Sequence, residues 1–175
     1  MRRAVLLAAA VVSLAQSPRY GVGRAPTPGE IRDWNISIRP DGKGLPPGRG
    51  AVAAGKEIYA NRCARCHGTA GQGGDSFPLV GGTGSLPGPK PLKTVTSYWP
   101  YATTIFDYVR RAMPFDNPGT LSNDQVYSVT AYLLYLGGVV PIDSVIDAHS
   151  LPSIRMPNRD GFVPDPRPDT GPARK

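Results

Sequence analysis

Apolar side chains recur at helical spacing in three segments of the chain, residues 51–64, 102–112 and 123–136. Spacings of three and four residues place such side chains on one face of a helix. We therefore predict three amphipathic helices. The apolar positions are Val52, Ile58 and Tyr59 in the first segment, Ile105, Phe106 and Val109 in the second, and Val126, Val129, Leu133 and Leu136 in the third.

The third predicted helix has clear signals at both ends. Ser122 can accept a hydrogen bond from a free backbone N–H of the first turn, and Gln125 completes a capping box three positions later. Gly137 and Gly138 follow the last apolar position and favour a helix end.

The second predicted helix has weaker signals. Thr103 or Thr104 could cap its start. Pro114 ends it, because proline lacks the backbone N–H that a continuing helix needs.

The rest of the chain is rich in glycine and proline. The 175 residues include 21 glycines and 20 prolines, a share just below the level at which disorder becomes the default. We expect an irregular arm over residues 16–49, a Gly-rich loop over residues 68–88 and a surface tail over residues 150–175 that loses order near its end. Such a chain has a small core, to which a bound cofactor would add apolar volume.

Two short segments within these stretches carry local patterns. Trp34, Ile36 and Ile38 alternate with polar residues, which predicts one short strand or extended segment. Residues 142–148 could form a short helix.

The first 15 residues have the form of a secretory signal. Arg2 and Arg3 precede an apolar run over residues 4–14, and small residues near its end favour cleavage after Ala15. The run is shorter than the ~20 residues that cross a bilayer. We therefore expect an exported, periplasmic protein with no membrane span in its mature form, with an uncleaved membrane anchor as the alternative.

The charge of the chain is moderately basic. The formal net charge is +7, and removal of Arg2 and Arg3 would lower it to +5. The basic residues do not form a run and no nucleic-acid motif is present, so we expect no nucleic-acid partner. The excess suits steering towards an acidic partner, although it could serve solubility alone.

Both cysteines of the chain belong to one motif, Cys63-Ala64-Arg65-Cys66-His67. The CxxCH pattern is typical of c-type haem attachment. Two thiols about one helical turn apart suit the two haem vinyl groups, and the next residue then supplies an imidazole to the iron. We therefore predict one covalent haem c held by Cys63 and Cys66 and ligated by His67.

Other uses of the cysteine pair fit the sequence less well. A thioredoxin-like redox pair would need a βαβ pattern around it. A zinc site would need further ligands, and His149 is the one strong candidate that remains.

The second axial position of the iron has several candidates. Met113 lies at the end of the second predicted helix, directly before Pro114, which would hold the loop rigid. Met156 also precedes a proline but lies in the tail. His149 and an open iron site are further alternatives, and Met113 could instead pack in the core. Ligation by histidine and methionine fills both axial positions and favours electron transfer over substrate chemistry.

Some further residues could surround the haem. Tyr98 and Trp99 could donate hydrogen bonds to a haem propionate, or be ordinary core aromatics. Arg110 and Arg111 could guide an acidic partner, or simply face water. The loop residues that could cover a haem face are Pro78, Leu79 and Gly81.

Residues 52–136 resemble class I cytochrome c, in which a helix precedes CxxCH, a methionine ligand follows and a C-terminal helix crosses the first. Longer strings are similar to the cytochrome subunit of bacterial sulfur and sulfite dehydrogenases, the SoxD-like group. Those strings are RPDGKGLPPG at 39–48, YATTIFDYVRRAMPF at 101–115, DQVYSVTAYLLYL at 124–136 and MPNRDGF at 156–162.

The resemblance implies an all-α class I cytochrome c fold. A small helical domain over residues 50–140 would surround one covalent haem, with an arm over 16–49 and a C-terminal extension over 141–175. The resemblance maps Met113 to the distal ligand position. Some members of the group carry two haems, so this chain is similar to a short version with one.

The resemblance also implies a role without catalysis of its own. The chain would accept single electrons from a molybdenum-cofactor subunit that oxidises sulfite or protein-bound sulfane sulfur, and pass them to an acceptor such as another cytochrome c. The arm and tail would wrap a partner's surface. A soluble electron shuttle, or a cytochrome subunit of another dehydrogenase, is the alternative.

Overall fold

The computed structural model describes residues 21–167, which fall into two compact units, and the chain passes from the first to the second between Asn35 and Ile36. The predicted signal segment and its cleavage point after Ala15 lie outside the described residues, as does the end of the tail near Lys175. Among the helices of residues 21–167, none combines the length and the apolar character that crossing a membrane requires.

Among the described residues of the first unit, 21–35, there is one helix, α1 (Pro28–Trp34), where the sequence predicted an irregular arm. The Thr27 hydroxyl accepts a hydrogen bond from the Glu30 N–H at 3.2 Å, and the Glu30 carboxylate accepts one from the Thr27 N–H at 2.7 Å. This capping box, with a proline in the first turn, starts the helix. The predicted short strand or extended segment is therefore wrong at Trp34, because local capping outweighs the alternating pattern, while Ile36 and Ile38 lie in chain with neither helix nor strand.

Four α-helices lie in the second unit within the described residues: α2 (Val52–Arg62), α3 (Ala64–His67), α4 (Ala102–Ala112) and α5 (Asn123–Leu136). Three of them, α2, α4 and α5, confirm the three helices predicted from the apolar spacing. The helical class of the described chain is confirmed as well.

The helix ends agree with the sequence in α5 but not at the start of α4. In α5 the Ser122 hydroxyl accepts from the Gln125 N–H at 3.3 Å, and the Gln125 side chain accepts from the Ser122 N–H at 2.8 Å, which confirms the capping box. The predicted caps Thr103 and Thr104 are wrong. The N-cap of α4 is Tyr101, which makes no side-chain capping bond, and both threonines lie inside the helix.

One small antiparallel sheet joins distant parts of the second unit. Strand β1 (Arg49–Ala51) pairs with β2 (Val145–Asp147), with Gly50 opposite Ile146. The short helix predicted over residues 142–148 is therefore wrong. Ile146 is buried while its neighbours Val145 and Asp147 are not, and this period of two is the burial pattern of a strand.

Two glycines allow the polypeptide to pass very close to α5. A Cβ atom on Gly55 of α2 would lie 2.6 Å from the carbonyl carbon of Ser128 and closer still to its oxygen. A Cβ atom on Gly50 of β1 would lie 2.5 Å from the Ser128 Cα. Absence of a side chain at both positions therefore sets the distance between α2, β1 and α5. Tyr59 of α2 then packs on Tyr132 of α5, with ring centroids 5.3 Å apart.

The other side of α5 packs on α4. Phe106 and Tyr127 have ring centroids 4.4 Å apart, and both are fully buried. Residues from the C-terminal extension complete this core, since Leu151 and Met156 are 0% and 1% exposed. The part of the tail up to Met156 thus belongs to the folded body rather than only to its surface.

Asp107 of α4 fixes the chain that enters the second unit. Its carboxylate accepts the Ile38 N–H at 3.1 Å and pairs with Arg111 one turn later along the helix. Ile38 is itself buried. A buried N–H can no longer donate to water and needs such an acceptor. This contact therefore holds the residues around Ile38 in place without a strand.

Candidate functional site

The CxxCH motif occupies the junction of two helices. Cys63 ends α2, where its N–H donates to the Tyr59 carbonyl at 2.9 Å, and it also precedes α3. Its own carbonyl accepts the His67 N–H at 3.0 Å. The motif therefore forms one compact helical turn, in which the two thiols and the imidazole are brought together.

The His67 ring is oriented by a backbone carbonyl. Its Nδ1 lies 2.8 Å from the carbonyl oxygen of Phe77, to which an Nδ1–H donates. This bond assigns the proton to Nδ1 and leaves Nε2 with a free lone pair, the form in which histidine ligates a metal. The sequence did not reveal this partner, because any residue type at position 77 supplies a carbonyl.

The Gly-rich segment is a loop, as predicted, and it folds back on the motif. The Gly73 N–H donates to the His67 carbonyl at 2.8 Å, and the Ser76 N–H donates to the Cys66 carbonyl at 2.9 Å. The Tyr59 hydroxyl donates to the Gly68 carbonyl at 2.8 Å, at a point where Gly68 has φ +79°. These bonds return the chain over the motif and place the Phe77 carbonyl at the imidazole.

A cavity of about 450 Å³ opens beside the motif. Its volume lies within the range of cofactor sites. Cys63, Cys66 and His67 line one side, and Met113 lines it as well. The remaining lining is mostly apolar and comes from helices α2, α4 and α5 and from three loops. It includes Tyr59, Pro78, Leu79, Val95, Trp99, Ile105, Tyr108, Val109, Leu121, Val129 and Leu133.

The alternative iron ligands lie elsewhere. Met156 is 1% exposed within the core formed with Leu151, and it does not line the cavity. His149 is exposed beside Asp147, whose carboxylate accepts the His149 N–H at 2.9 Å. Only Met113 among these candidates is brought to the cavity that His67 lines. Within residues 21–167, moreover, no group of three His, Cys, Asp or Glu side chains could hold a metal ion such as zinc.

The two aromatic candidates separate in the structure. Trp99 lines the cavity and meets Tyr108 edge to face, with ring centroids 5.7 Å apart. Tyr98 lies off the cavity lining and packs against Phe162 of the tail, with ring centroids 5.2 Å apart. Of the loop candidates, Pro78 and Leu79 line the cavity and Gly81 does not.

The charged residues of the cavity are basic apart from Asp116. Arg62, Arg65 and Lys93 reach its lining, and Arg65 lies 3.6 Å from Asp116 in an exposed ion pair. Burial raises the pKa of the Cys63 thiol to about 11, an effect that the neighbouring Arg62 charge partly opposes. The free thiol would therefore be neutral at pH 7 and pack as an apolar group.

Arg110 and Arg111, which could guide an acidic partner or simply face water, each have a partner within the protein. Arg111 pairs with Asp107 of its own helix, and the Arg110 guanidinium lies 3.5 Å from the Ile36 carbonyl oxygen. Neither lines the cavity. Basic charge at the cavity comes instead from Arg62, Arg65 and Lys93.

The donor set and the cavity fit a covalently attached haem. Two thiols can each take up a vinyl group, and the imidazole Nε2 is free to ligate iron. A thioether sulfur lies in the same lining, and the walls are apolar. Two thiols one helical turn apart, an imidazole and a thioether in one apolar cavity match the attachment and the histidine–methionine ligation of a c-type haem.

Comparison with known proteins gives the same family. The family model for cytochrome c matches residues 52–137. A chain in the crystal structure of the sulfane dehydrogenase SoxCD from Paracoccus pantotrophus is 47% identical, with a TM-score of 0.77 over 87% of this chain and 75% of that one. The chain belongs to the cytochrome c family. As a cytochrome c it has the class I fold, haem c as its covalent cofactor and a role in electron transfer, as predicted.

A second relative of this cytochrome c is more distant. The thiosulfate dehydrogenase of Stutzerimonas stutzeri (strain A1501) is 32% identical over 93 residues, which is 50% of this chain. The chain spans only 28% of the length of that curated relative. Both relatives are dehydrogenases of sulfur compounds.

Proposed function

We propose that this cytochrome c is a periplasmic electron-transfer subunit with one haem, which accepts single electrons from a molybdenum-cofactor dehydrogenase that oxidises sulfite or sulfane sulfur. It then passes each electron to another carrier, such as a second cytochrome c. The observation that carries the proposal is the 47% identity to a chain of a sulfane dehydrogenase over 87% of this chain. That coverage extends well beyond residues 52–137, which the family model matches.

The residues of the cavity have distinct roles in this proposal. Cys63 and Cys66 would hold the haem through two thioether bonds, and His67 and Met113 would ligate its iron. When bound, haem c supplies an iron that changes its charge by one electron. The Phe77 carbonyl holds the imidazole in its ligating form through the 2.8 Å hydrogen bond from Nδ1. The apolar walls limit water around the iron, which with a methionine ligand favours a high reduction potential.

The mouth of the cavity has the features of an electron-exchange surface. Phe77 and Phe115 belong to the cavity lining and yet are 88% and 87% exposed. The Arg65 side chain is 81% exposed nearby, and Lys93 is exposed as well. Exposed aromatic rings with a basic rim suit transient docking on an acidic protein surface.

The ligand role of Met113 can be tested against a second methionine. Met113→Leu should let the reduced protein bind carbon monoxide and should remove the long-wavelength absorption typical of a methionine–iron bond. The matched control is Met156→Leu, which changes the same group in the core and should bind no carbon monoxide. Carbon monoxide binding by the second variant alone would assign the ligand to Met156.

The dehydrogenase role is tested by reduction with a defined donor. The oxidised cytochrome is mixed with a periplasmic extract that contains the candidate molybdenum protein, and haem reduction is followed after addition of sulfite. We expect fast reduction that depends on sulfite, together with co-purification of the two proteins.

The docking surface is tested in the same assay. Arg65→Glu should slow the reduction, whereas Arg49→Glu, the same charge change on β1, should not. Absence of sulfite- or thiosulfate-dependent reduction would favour a soluble shuttle.

A cytochrome subunit for a different substrate is the second candidate. The match to a thiosulfate dehydrogenase covers half of this chain, so a related cytochrome domain occurs in a protein named for another sulfur substrate. The two candidates separate when sulfite and thiosulfate are compared as donors in the same extract.

Export rests on residues 1–15 and is tested independently. We expect the haem-containing protein in the periplasmic fraction, with its N-terminus at residue 16 by mass spectrometry. An intact Met1 in a membrane fraction would favour the uncleaved anchor.

A further inference from the structure

Part of the tail crosses the polypeptide that forms one wall of the cavity. We call residues 156–162 the tail strap and residues 94–101 the cavity wall. The Asn158 side-chain N–H donates to the Tyr98 carbonyl at 2.7 Å, and the Phe162 ring packs on the Tyr98 ring. The Arg159 guanidinium lies 4.2 Å from the centre of the Tyr101 ring. Three side chains of the strap thus hold the second half of the cavity wall.

The tail strap is itself a folded turn. The Arg159 N–H donates to the Met156 carbonyl at 3.1 Å, and the Gly161 N–H donates to the Asn158 carbonyl at 3.2 Å. Met156, at its start, is 1% exposed, so the turn is anchored in the core. Gly161 leaves space for Asn158: a Cβ atom there would lie 2.8 Å from the Asn158 Cγ and closer still to its side-chain oxygen.

The first half of the cavity wall is held from within by hydroxyl groups. The Thr94 hydroxyl donates to the Gly81 carbonyl at 2.9 Å and accepts the Ser97 N–H at 3.1 Å. The Ser97 hydroxyl donates to the Leu92 carbonyl at 2.7 Å. These hydroxyl bonds end at Ser97, and one backbone bond follows, from the Tyr98 N–H to the Thr94 carbonyl at 3.0 Å. The Asn158 bond of the strap then reaches the Tyr98 carbonyl, directly before Trp99.

Trp99 connects the contacts of the tail strap with the haem site. Its indole lines the cavity and contacts Tyr108 of α4 edge to face. The carbonyl of Tyr98 belongs to the same peptide unit as the Trp99 N–H, so a bond to that carbonyl fixes the plane from which the indole projects.

We propose that Asn158 is a positioning residue that keeps the Trp99 indole against the cavity and thereby limits water at the haem. The tail strap is then part of the redox site, and this role goes beyond the proposed function because it needs no partner protein. Loss of the Asn158 bond frees the Tyr98–Trp99 peptide, and water gains access beside Trp99. Water stabilises the oxidised iron, which carries the extra positive charge, so the reduction potential falls.

The test is a spectroelectrochemical titration of the purified full-length cytochrome with its haem. We expect a lower reduction potential in Asn158→Ala and in Asn158→Asp, since neither side chain can donate to the Tyr98 carbonyl. Hydrogen exchange at the backbone amides of residues 98–101 should become faster in both. The control is Asn123→Ala, which removes an asparagine bond to the Pro47 carbonyl far along the chain, and it should leave the potential unchanged.

A second variant moves the Asn158 amide without removing it. Gly161→Ala places a methyl group against the Asn158 side chain and should lower the potential in the same direction. The visible spectrum and the melting temperature of each variant show that the protein is folded. An unchanged potential in the folded Asn158 and Gly161 variants, or an equal fall in Asn123→Ala, overturns the proposal.

Discussion

Different interactions stabilise two regions of the molecule, the contact between α2 and α5 and the cavity wall of residues 94–101. At the helix contact Gly55 lets backbone approach backbone, and tyrosine rings fill the rest. At the cavity wall, buried hydroxyls and one asparagine satisfy carbonyl groups over short distances. The first depends on shape and the second on hydrogen-bond partners.

This difference separates stability from redox environment. Close packing tolerates no added atom, because interiors are as dense as crystals. Hydrogen bonds in the wall can be removed one at a time, each with a modest loss of stability. Substitutions at the helix contact should therefore act mainly on folding, whereas substitutions in the wall should cost less stability and also change the local environment of the cavity.

The largest loss of stability is expected from Gly55→Ala. The added methyl group would meet the Ser128 carbonyl within 2.6 Å of its carbon, so α2 and α5 must move apart. We expect a loss of about 3 kcal/mol in the free energy of unfolding, the upper part of the usual range for overpacking. Urea denaturation followed by circular dichroism measures it.

The control for this variant is Gly29→Ala in α1, where the new atom would have only ordinary contacts at 3.7 and 3.8 Å. That variant should keep or gain stability, since alanine favours helix more than glycine does. Equal stability of Gly55→Ala and wild type would contradict the shape argument.

A smaller loss, about 2 kcal/mol, is expected from Thr94→Val in the cavity wall. The variant keeps the shape but leaves the Ser97 N–H and the Gly81 carbonyl without their partner. Hydrogen exchange at the Ser97 amide should become much faster. Thr120→Val is the matched control, since that hydroxyl donates to the Asn117 carbonyl at an exposed site and should lose less.

Tyr127→Phe should cost about 1 kcal/mol at pH 7, because it removes the 2.9 Å hydrogen bond to the Pro46 carbonyl. Tyr127 does not line the cavity, so the reduction potential should not change. The loss of stability should be visible as a lower denaturation midpoint alone. A shifted reduction potential in this variant would contradict the separation of stability from redox environment.

The same residue predicts an alkaline effect. Burial raises the pKa of Tyr127 to about 12, whereas an unfolded tyrosine titrates near 10. The neutral phenol therefore stabilises the fold fully below pH 10, and this contribution is lost as the pH rises from 10 through 12. Wild type should lose more stability than Tyr127→Phe over that range, so the difference between them should narrow. Burial also raises the pKa of Tyr59 to about 12. Wild type and Tyr127→Phe should therefore both still lose some stability over this pH range.

The smallest effect is expected where the tail strap meets the wall. The contact of Arg159 with the Tyr101 ring should contribute about 0.5 kcal/mol, as cation–π contacts near the surface do. A double-mutant cycle of Arg159→Leu and Tyr101→Leu measures this coupling. A coupling of zero would leave the Asn158 bond as the main contact of the strap.

The sequence alone determined the elements that depend on near neighbours. Three helices follow from apolar spacing, and the capping box of Ser122 and Gln125 lies within four positions. CxxCH identifies haem attachment because its three functional groups lie within five consecutive residues. The same reasoning missed α1, where the box of Thr27 and Glu30 was hidden among glycines and prolines, and it read β2 as a helix.

Only the tertiary structure decided which distant groups meet. The carbonyl of Phe77 orients His67, yet a carbonyl belongs to every residue and leaves no mark in the sequence. Position 55 must be glycine because the Ser128 backbone lies against it, and the Tyr98 carbonyl accepts a hydrogen bond from Asn158, sixty positions later. Such contacts form when the chain folds back on itself, and the composition of either segment carries no information about its partner. Selection of Met113 over Met156 for the cavity was settled in the same way, since both precede proline and only packing distinguishes them.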